Sequence, residues 1–149
     1  MSSIPEALQE VAEFFDLLQD RNERIEALMA LADRFEAVPA EVATRPYPES
    51  NKVEGCESQA YGWGVRQPDE TLRYYFAVEN PQGIAAMSLA VILEDNLSGA
   101  PLSQILTIPP EIIYRFFGRE LSVAKSVGLI GMIELAKRLA REEFSGERG

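Results

Sequence analysis

Histidine is missing altogether from the 149 residues, and cysteine occurs once, at Cys56. Without imidazole, Ser-His-Asp and Cys-His nucleophile machinery is excluded, as are zinc sites that need a histidine ligand. A single cysteine forms no internal disulfide and no Cys-rich cluster scaffold, so nothing points to an oxidising compartment. No apolar run approaches the roughly 20 residues of a membrane span. The start, Met1-Ser2-Ser3-Ile4-Pro5-Glu6, lacks the basic and apolar regions of a secretory signal, so the expected location is the cytosol. Basic residues are scarce as well. Fourteen Lys and Arg against 24 Asp and Glu leave a formal charge of -10, the wrong sign for gripping a phosphate backbone.

What is present suits one domain over residues 1–149, with 46% hydrophobic residues to build a core and the last five expected to trail as a disordered tail. Ile4, Ala7, Leu8, Val11, Phe14, Phe15 and Leu18 recur at helical spacing and predict an amphipathic helix over about 5–18. Asp20 opens a capping box for a second helix, with Ile25, Leu28, Met29, Ala32 and Phe35 on one stripe and an end near Val38-Pro39. Two antiparallel helices joined by a tight turn are expected. Pro39, Pro46 and Pro48 then make a stiff, irregular connector.

Beyond it the period changes. Tyr61, Trp63 and Val65 alternate with Ala60, Gly62 and Gly64, and Leu72, Tyr74, Phe76 and Val78 repeat the alternation after a turn at Gln67-Pro68-Asp69-Glu70. With a short segment at Lys52-Val53, this predicts a three-stranded antiparallel sheet carrying helices on one face, the large aromatics inward. The bare Gly62/Gly64 face offers a place for a second chain, with local packing the plainer account. The aromatic pairs are read as core, because acidity and the lack of interleaved Arg or Lys argue against a nucleic-acid stacking platform. Asn80-Pro81 reads as the start of a central buried helix over 81–95, apolar nearly all round. Short helical turns follow near Leu102–Leu106 and Glu111–Phe117. Ser122 caps a long last helix to about Glu143, with Val123, Val127, Ile130, Ile133, Ala136 and Ala140 inward.

Cys56 falls in Asn51-Lys52-Val53-Glu54-Gly55-Cys56-Glu57-Ser58-Gln59, between two extended segments and directly after a glycine. A lone cysteine is most often a small buried hydrophobe. The charged flanks and the turn position favour a loop-tip thiol instead. Glu54 and Glu57 read first as solvated loop charge; brought close to the thiol they would disfavour the thiolate until a partner arrives. A bare thiolate with no base is poorly equipped to hydrolyse an amide. It is well suited to attack an already activated sulfur, as in thiol–disulfide exchange.

The pattern Val53-x-Gly55-Cys56-x-Ser58-Gln59 resembles the active loop of the SufE family, and the element order on both sides resembles it over nearly the whole chain. The resemblance implies an α+β, SufE/IscU-like single domain. It implies a sulfur acceptor and activator that takes persulfide sulfur from a cysteine desulfurase onto Cys56, with Gly55, Ser58 and Gln59 supporting the loop, and passes it to an iron–sulfur scaffold. The chain would then be a carrier with a sulfurtransferase half-reaction. It would need no cofactor or metal of its own, the pyridoxal phosphate belonging to the desulfurase, and a homodimer is a further expectation. Lys125 stands where the family usually carries arginine, ahead of Gly128, and lacks the guanidinium fork; both are read as candidate loop or partner contacts. Gly128 and Gly131 are read first as close-packing positions beneath the loop. Ala60-Tyr61 stands for the family's Val-Trp, and Val78-Glu79-Asn80-Pro81 for its Gly-Asp-Ser-Asp, which marks a divergent member. Two other readings stay open: a binding module that regulates a desulfurase without Cys56, and an interaction domain with a structural Cys56.

Overall fold

The chain's alternation of helical and strand periods is laid out in a computed structural model that describes residues 3–144. Helices α1 (Glu6–Asp16) and α2 (Arg21–Asp33) come first, then strands β1 (Ala60–Arg66) and β2 (Leu72–Val78). Helices α3 (Ile84–Leu97), α4 (Leu102–Ile105), α5 (Ile113–Phe117) and α6 (Val123–Phe144) complete the order. The result is a single α+β domain. The predicted tail at 145–149 lies outside the described residues.

The helical pair forms as its spacing dictates, but α1 leans on α3 and α5, and α2 on α3 and α5, rather than chiefly on each other. Asp20 caps α2, its carboxylate accepting from the Asn22 amide at 2.8 Å. Arg24 then locks the assembly. Its guanidinium donates to the carbonyls of Arg115 and Phe116 at 2.8 Å each and to Leu18 at 3.1 Å, occupying chain-end acceptors that no helix satisfies. The second helix stops at Asp33, short of the predicted Val38-Pro39, because Val38 is committed elsewhere: its amide donates to Phe76 O at 2.9 Å along the edge of β2. Ile25 and Met29 of the predicted stripe stay largely exposed.

The sheet has two strands, not three. β1 and β2 pair antiparallel with Ala60 opposite Val78 and Arg66 opposite Leu72. The expected third strand is one bridge, Lys52 to Tyr61, between a single helical turn (Glu49–Asn51) and the turn at Gly55. No length is left to extend the pairing. Asn51 instead caps the β1 edge through its side chain, donating to Gly62 O at 2.9 Å. The other edge, on β2, is also closed. Phe76 N donates to the Glu94 carboxylate and Tyr74 N to Ser98 Oγ, while Gly99 N reaches Leu72 O. Capped edges of this kind resist further strand pairing.

The inward and outward faces of β1 are the reverse of the expectation. Gly62 and Gly64 face the helices, and Tyr61 and Trp63 face away. The reason is steric. A β-carbon on Gly62 would stand 2.9 Å from the Phe76 ring and 3.0 Å from Leu135 of α6, and one on Gly64 3.0 Å from Leu72. The small side of β1 therefore admits α6 and the large residues of β2, and this face is filled by the chain itself. Tyr61 and Trp63 form a second cluster with Val38 and Ala77, roofed by Tyr47 of the proline connector, whose ring centroid lies 5.2 Å from that of Tyr61 and 5.1 Å from that of Trp63.

Helix α3 is the buried centre, with Leu89, Ala90, Ile92, Leu93 and Leu97 essentially inaccessible. It starts at Ile84, three residues after the expected Pro81. Asn80 spends its side chain on a turn, accepting from Gln82 N at 2.9 Å, while its carbonyl accepts from Gly83 N. Ser122 caps α6 as expected, accepting from Lys125 N at 3.2 Å. Ile133, Ala136 and Ala140 point inward, but Val123 and Val127 are exposed, at 80% and 48%. They sit on the first two turns, which project past the core toward the Cys56 loop.

Candidate functional site

The segment 53–59 is a turn pinned at both ends. Val53, fully buried, donates its amide to Ala60 O at 2.8 Å, and Gln59 N returns to Cys56 O at 3.2 Å. Gly55 adopts φ +75°, a left-handed conformation that side chains with a β-carbon resist, and Gln59 adopts φ 54°. A β-carbon on Gly55 would also stand 2.6 Å from Val127 Cγ1. The far side of the turn is tied to the entry of α3: Glu79 N donates to Gln59 O and Asn80 N to Ser58 O, each at 3.1 Å.

Beneath the turn, α6 has no side chains at two positions. A β-carbon on Gly131 would stand 2.6 Å from Glu54 O, and one on Gly128 3.1 Å from Cys56 Cα and 3.4 Å from its sulfur. The loop backbone thus rests directly on the helix, as the close-packing reading expected. Ser58 rests in the same way on Gly83, where a β-carbon would meet its hydroxyl at 2.7 Å. These three glycine seats leave Cys56 free and half-buried. Glu54 and Glu57 are exposed, as solvated loop charge should be.

The thiol opens on a cleft of about 250 Å³ whose lining includes Cys56, Ser58, Gln82, Lys125, Gly128 and Leu129. Of the predicted residues, the fold brings Cys56, Ser58, Lys125 and Gly128 together here. Gly55 and Gln59 shape the turn without lining the cleft. Gln82 and Gly83 were missed; the only signal for them was the Asn80-Pro81 start, which placed them inside a helix instead of in the turn before it. Larger clefts exist, one of about 680 Å³ between Ser3–Gln9 and the 104–119 segment, and it contains no nucleophilic thiol. The smaller cleft is the one that holds the thiol. Among the described residues, no group of three or more Cys, Asp or Glu is placed to hold a metal, and no helix is long and apolar enough to cross a membrane.

What this arrangement can do is limited by what surrounds the sulfur. There is a nucleophile on a glycine-seated turn, with one cation, Lys125, and one anion, Glu57, on the same cleft and small apolar residues between them. Such a site can accept a sulfur atom on the thiol and hold it partly out of water.

Comparison with known proteins gives the same family as the loop. The family described as "SufE: Fe-S metabolism associated domain" matches residues 9–140. The chain is 29% identical over 149 residues to SufE-like protein 1, chloroplastic/mitochondrial, of Arabidopsis thaliana; the match takes in 99% of the chain but 38% of that longer protein. A solution structure of a hypothetical protein from Thermus thermophilus shares the fold, with a TM-score of 0.73 at 20% identity over 95% of this chain and 98% of the other. With almost the whole described domain inside the family match and the Cys56 turn seated on its glycines, the chain belongs to the SufE family and to iron–sulfur metabolism.

Proposed function

We propose that this protein is a sulfur carrier: Cys56 takes the outer sulfur of a cysteine desulfurase's persulfide and passes it on to an iron–sulfur scaffold protein. The observation that supports this reading most is the seating of Cys56 on Gly128, half-buried beside a cleft that Lys125 and Ser58 also line. The step is an exchange between sulfurs. The Cys56 thiolate attacks the sulfane sulfur of the partner's persulfide, that S–S bond breaks, and the partner's cysteine leaves as thiolate. No electrons are gained or lost overall. The pyridoxal phosphate chemistry that generates the persulfide belongs to the desulfurase.

Within this reading Gly55 and Gln59 set the turn, Gly128 gives the sulfur room, and Ser58 ties the loop to the start of α3. Exposed Val123, Val127 and Ile84 around the loop suit it to being covered by the desulfurase during transfer. One preparation tests the proposal: the protein is incubated with a desulfurase, pyridoxal phosphate and cysteine, and intact masses are taken without reductant. The expected result is a gain of about 32 Da, one sulfur, on the wild type and none on Cys56→Ser. Full stimulation of the desulfurase by Cys56→Ser would instead make the chain a regulator that needs no thiol.

A further inference from the structure

The cleft at Cys56 is larger than its sulfur cargo needs. One sulfur atom occupies about the volume of a water molecule, roughly 30 Å³. The cleft holds about 250 Å³. That is still below the roughly 300–1,000 Å³ of sites that enclose drug-sized ligands, so the spare room suits a molecule the size of a small amino acid. Its chemistry is also particular. The floor is apolar and close to bare backbone, with Gly83, Ala86, Gly128 and Leu129, and the lining carries one cation, Lys125, and one anion, Glu57. Both charged side chains are exposed. A cation and an anion over a small apolar floor match a zwitterion with a short side chain.

We propose that this cleft is an acceptor subsite for a free thiol amino acid of the cysteine class, with Lys125 engaging its carboxylate, Glu57 its ammonium, and its thiol directed at the sulfur on Cys56. The proposal rests on the reading of Cys56 as a persulfide carrier and adds a small-molecule outlet to it. The bound thiolate attacks the outer sulfur of the Cys56 persulfide and forms a new S–S bond. The bond to Cys56 breaks, Cys56 leaves as thiolate, and the proton given up by the acceptor thiol ends on Cys56 or in water. The product is a free persulfide, and no oxidant or reductant is consumed. Gln82, at the same wall, supplies an uncharged amide for hydrogen bonding to either end of the ligand.

The test starts with the full chain loaded from inorganic polysulfide, which puts sulfur on Cys56 without any desulfurase. Loss of that sulfur is followed by intact mass, and the product is trapped by alkylation, with cysteine, cysteamine and 3-mercaptopropionate compared at equal thiolate concentration. The expected rate saturates with cysteine, and Lys125→Gln and Glu57→Gln each raise the half-saturating concentration by about 1.4- to 5-fold, the range for one exposed charge contact. Cysteamine, with no carboxylate, should ignore Lys125→Gln, and 3-mercaptopropionate, with no ammonium, should ignore Glu57→Gln. Rates that stay linear in thiol and equal for all three compounds overturn the subsite. A second measurement uses unloaded protein and S-methylcysteine, which cannot react. Amide shifts at Gly83 and Gly128 on titration support the subsite, and their absence overturns it. If polysulfide-loaded protein shows saturation while no desulfurase loads Cys56, the carrier reading fails and the cleft stands. Loading by a desulfurase without saturation means the reverse.

Discussion

Gly131→Ala is the sharpest probe of how the Cys56 loop is held. The new methyl carbon would stand 2.6 Å from the Glu54 carbonyl oxygen and 2.9 Å from Val53 Cγ1. Neither neighbour can step aside alone, because one is backbone and the other belongs to a residue that is 1% exposed. Helix α6 cannot easily retreat either, since it packs against β1, α3 and α4. The loop must lift. Overpacking of this kind costs about 1–3 kcal/mol, and alanine in place of a helical glycine returns up to about 1 kcal/mol. A net loss of about 1–2 kcal/mol corresponds to a melting temperature lower by about 2–8 °C for a domain of this size. The strain falls on residues next to Cys56, so a thiol reagent should also modify the folded variant faster, about fivefold for each kcal/mol by which the seated loop is weakened. Gly128→Ala, with its closest approach 3.1 Å from Cys56 Cα, should cost less stability and act more directly on the thiol. A Gly131→Ala protein at least as stable as wild type, with Cys56 reacting at the wild-type rate, would refute the idea that helix glycines seat the loop.

Two further outcomes follow from groups away from the thiol. Glu94 accepts from Phe76 N while partly buried, and burial pushes its carboxyl from 4.5 up to about 7. Its folded form therefore holds a proton that the unfolded chain has released, so stability falls as pH rises from 4.5 through about 7. Glu94→Gln keeps the acceptor and removes the ionisation; it should match wild type near pH 4 and exceed it at pH 8, by about 1–2 kcal/mol after solvent screening of the partly exposed group. Denaturant titrations at the two pH values check this, and a constant difference would refute it. Arg24→Ala strips donors from the Arg115, Phe116 and Leu18 carbonyls and should cost about 2–4 kcal/mol in the same assay, with Cys56 loading unchanged.

The order of helices and strands was legible because hydrophobic period and punctuation are local. Asp20 and Ser122 cap the helices they were expected to cap, and the all-round apolar run in α3 is buried as such a run must be. Where the reading slipped, a long-range partner had decided. Asn80 looked like a helix cap and serves a turn bound to Ser58 O. Val127 looked like a core residue and overlies Gly55.

The sequence by itself determined which chemistry is excluded: with no histidine and one cysteine, imidazole-dependent nucleophile machinery and an internal disulfide are both ruled out. It also determined that Gly62 and Gly64 share one side of a strand, since side chains alternate along any strand. Only the tertiary structure decided which side faced the helices, because alternation sorts residues into two faces without saying what covers either. The same holds at the site. Gly128 and Gly131 were visible as gaps in a helix, but what rests in those gaps, Cys56 and the Glu54 carbonyl, lies more than seventy residues away in the chain. The contact exists only once α6 has packed across the sheet.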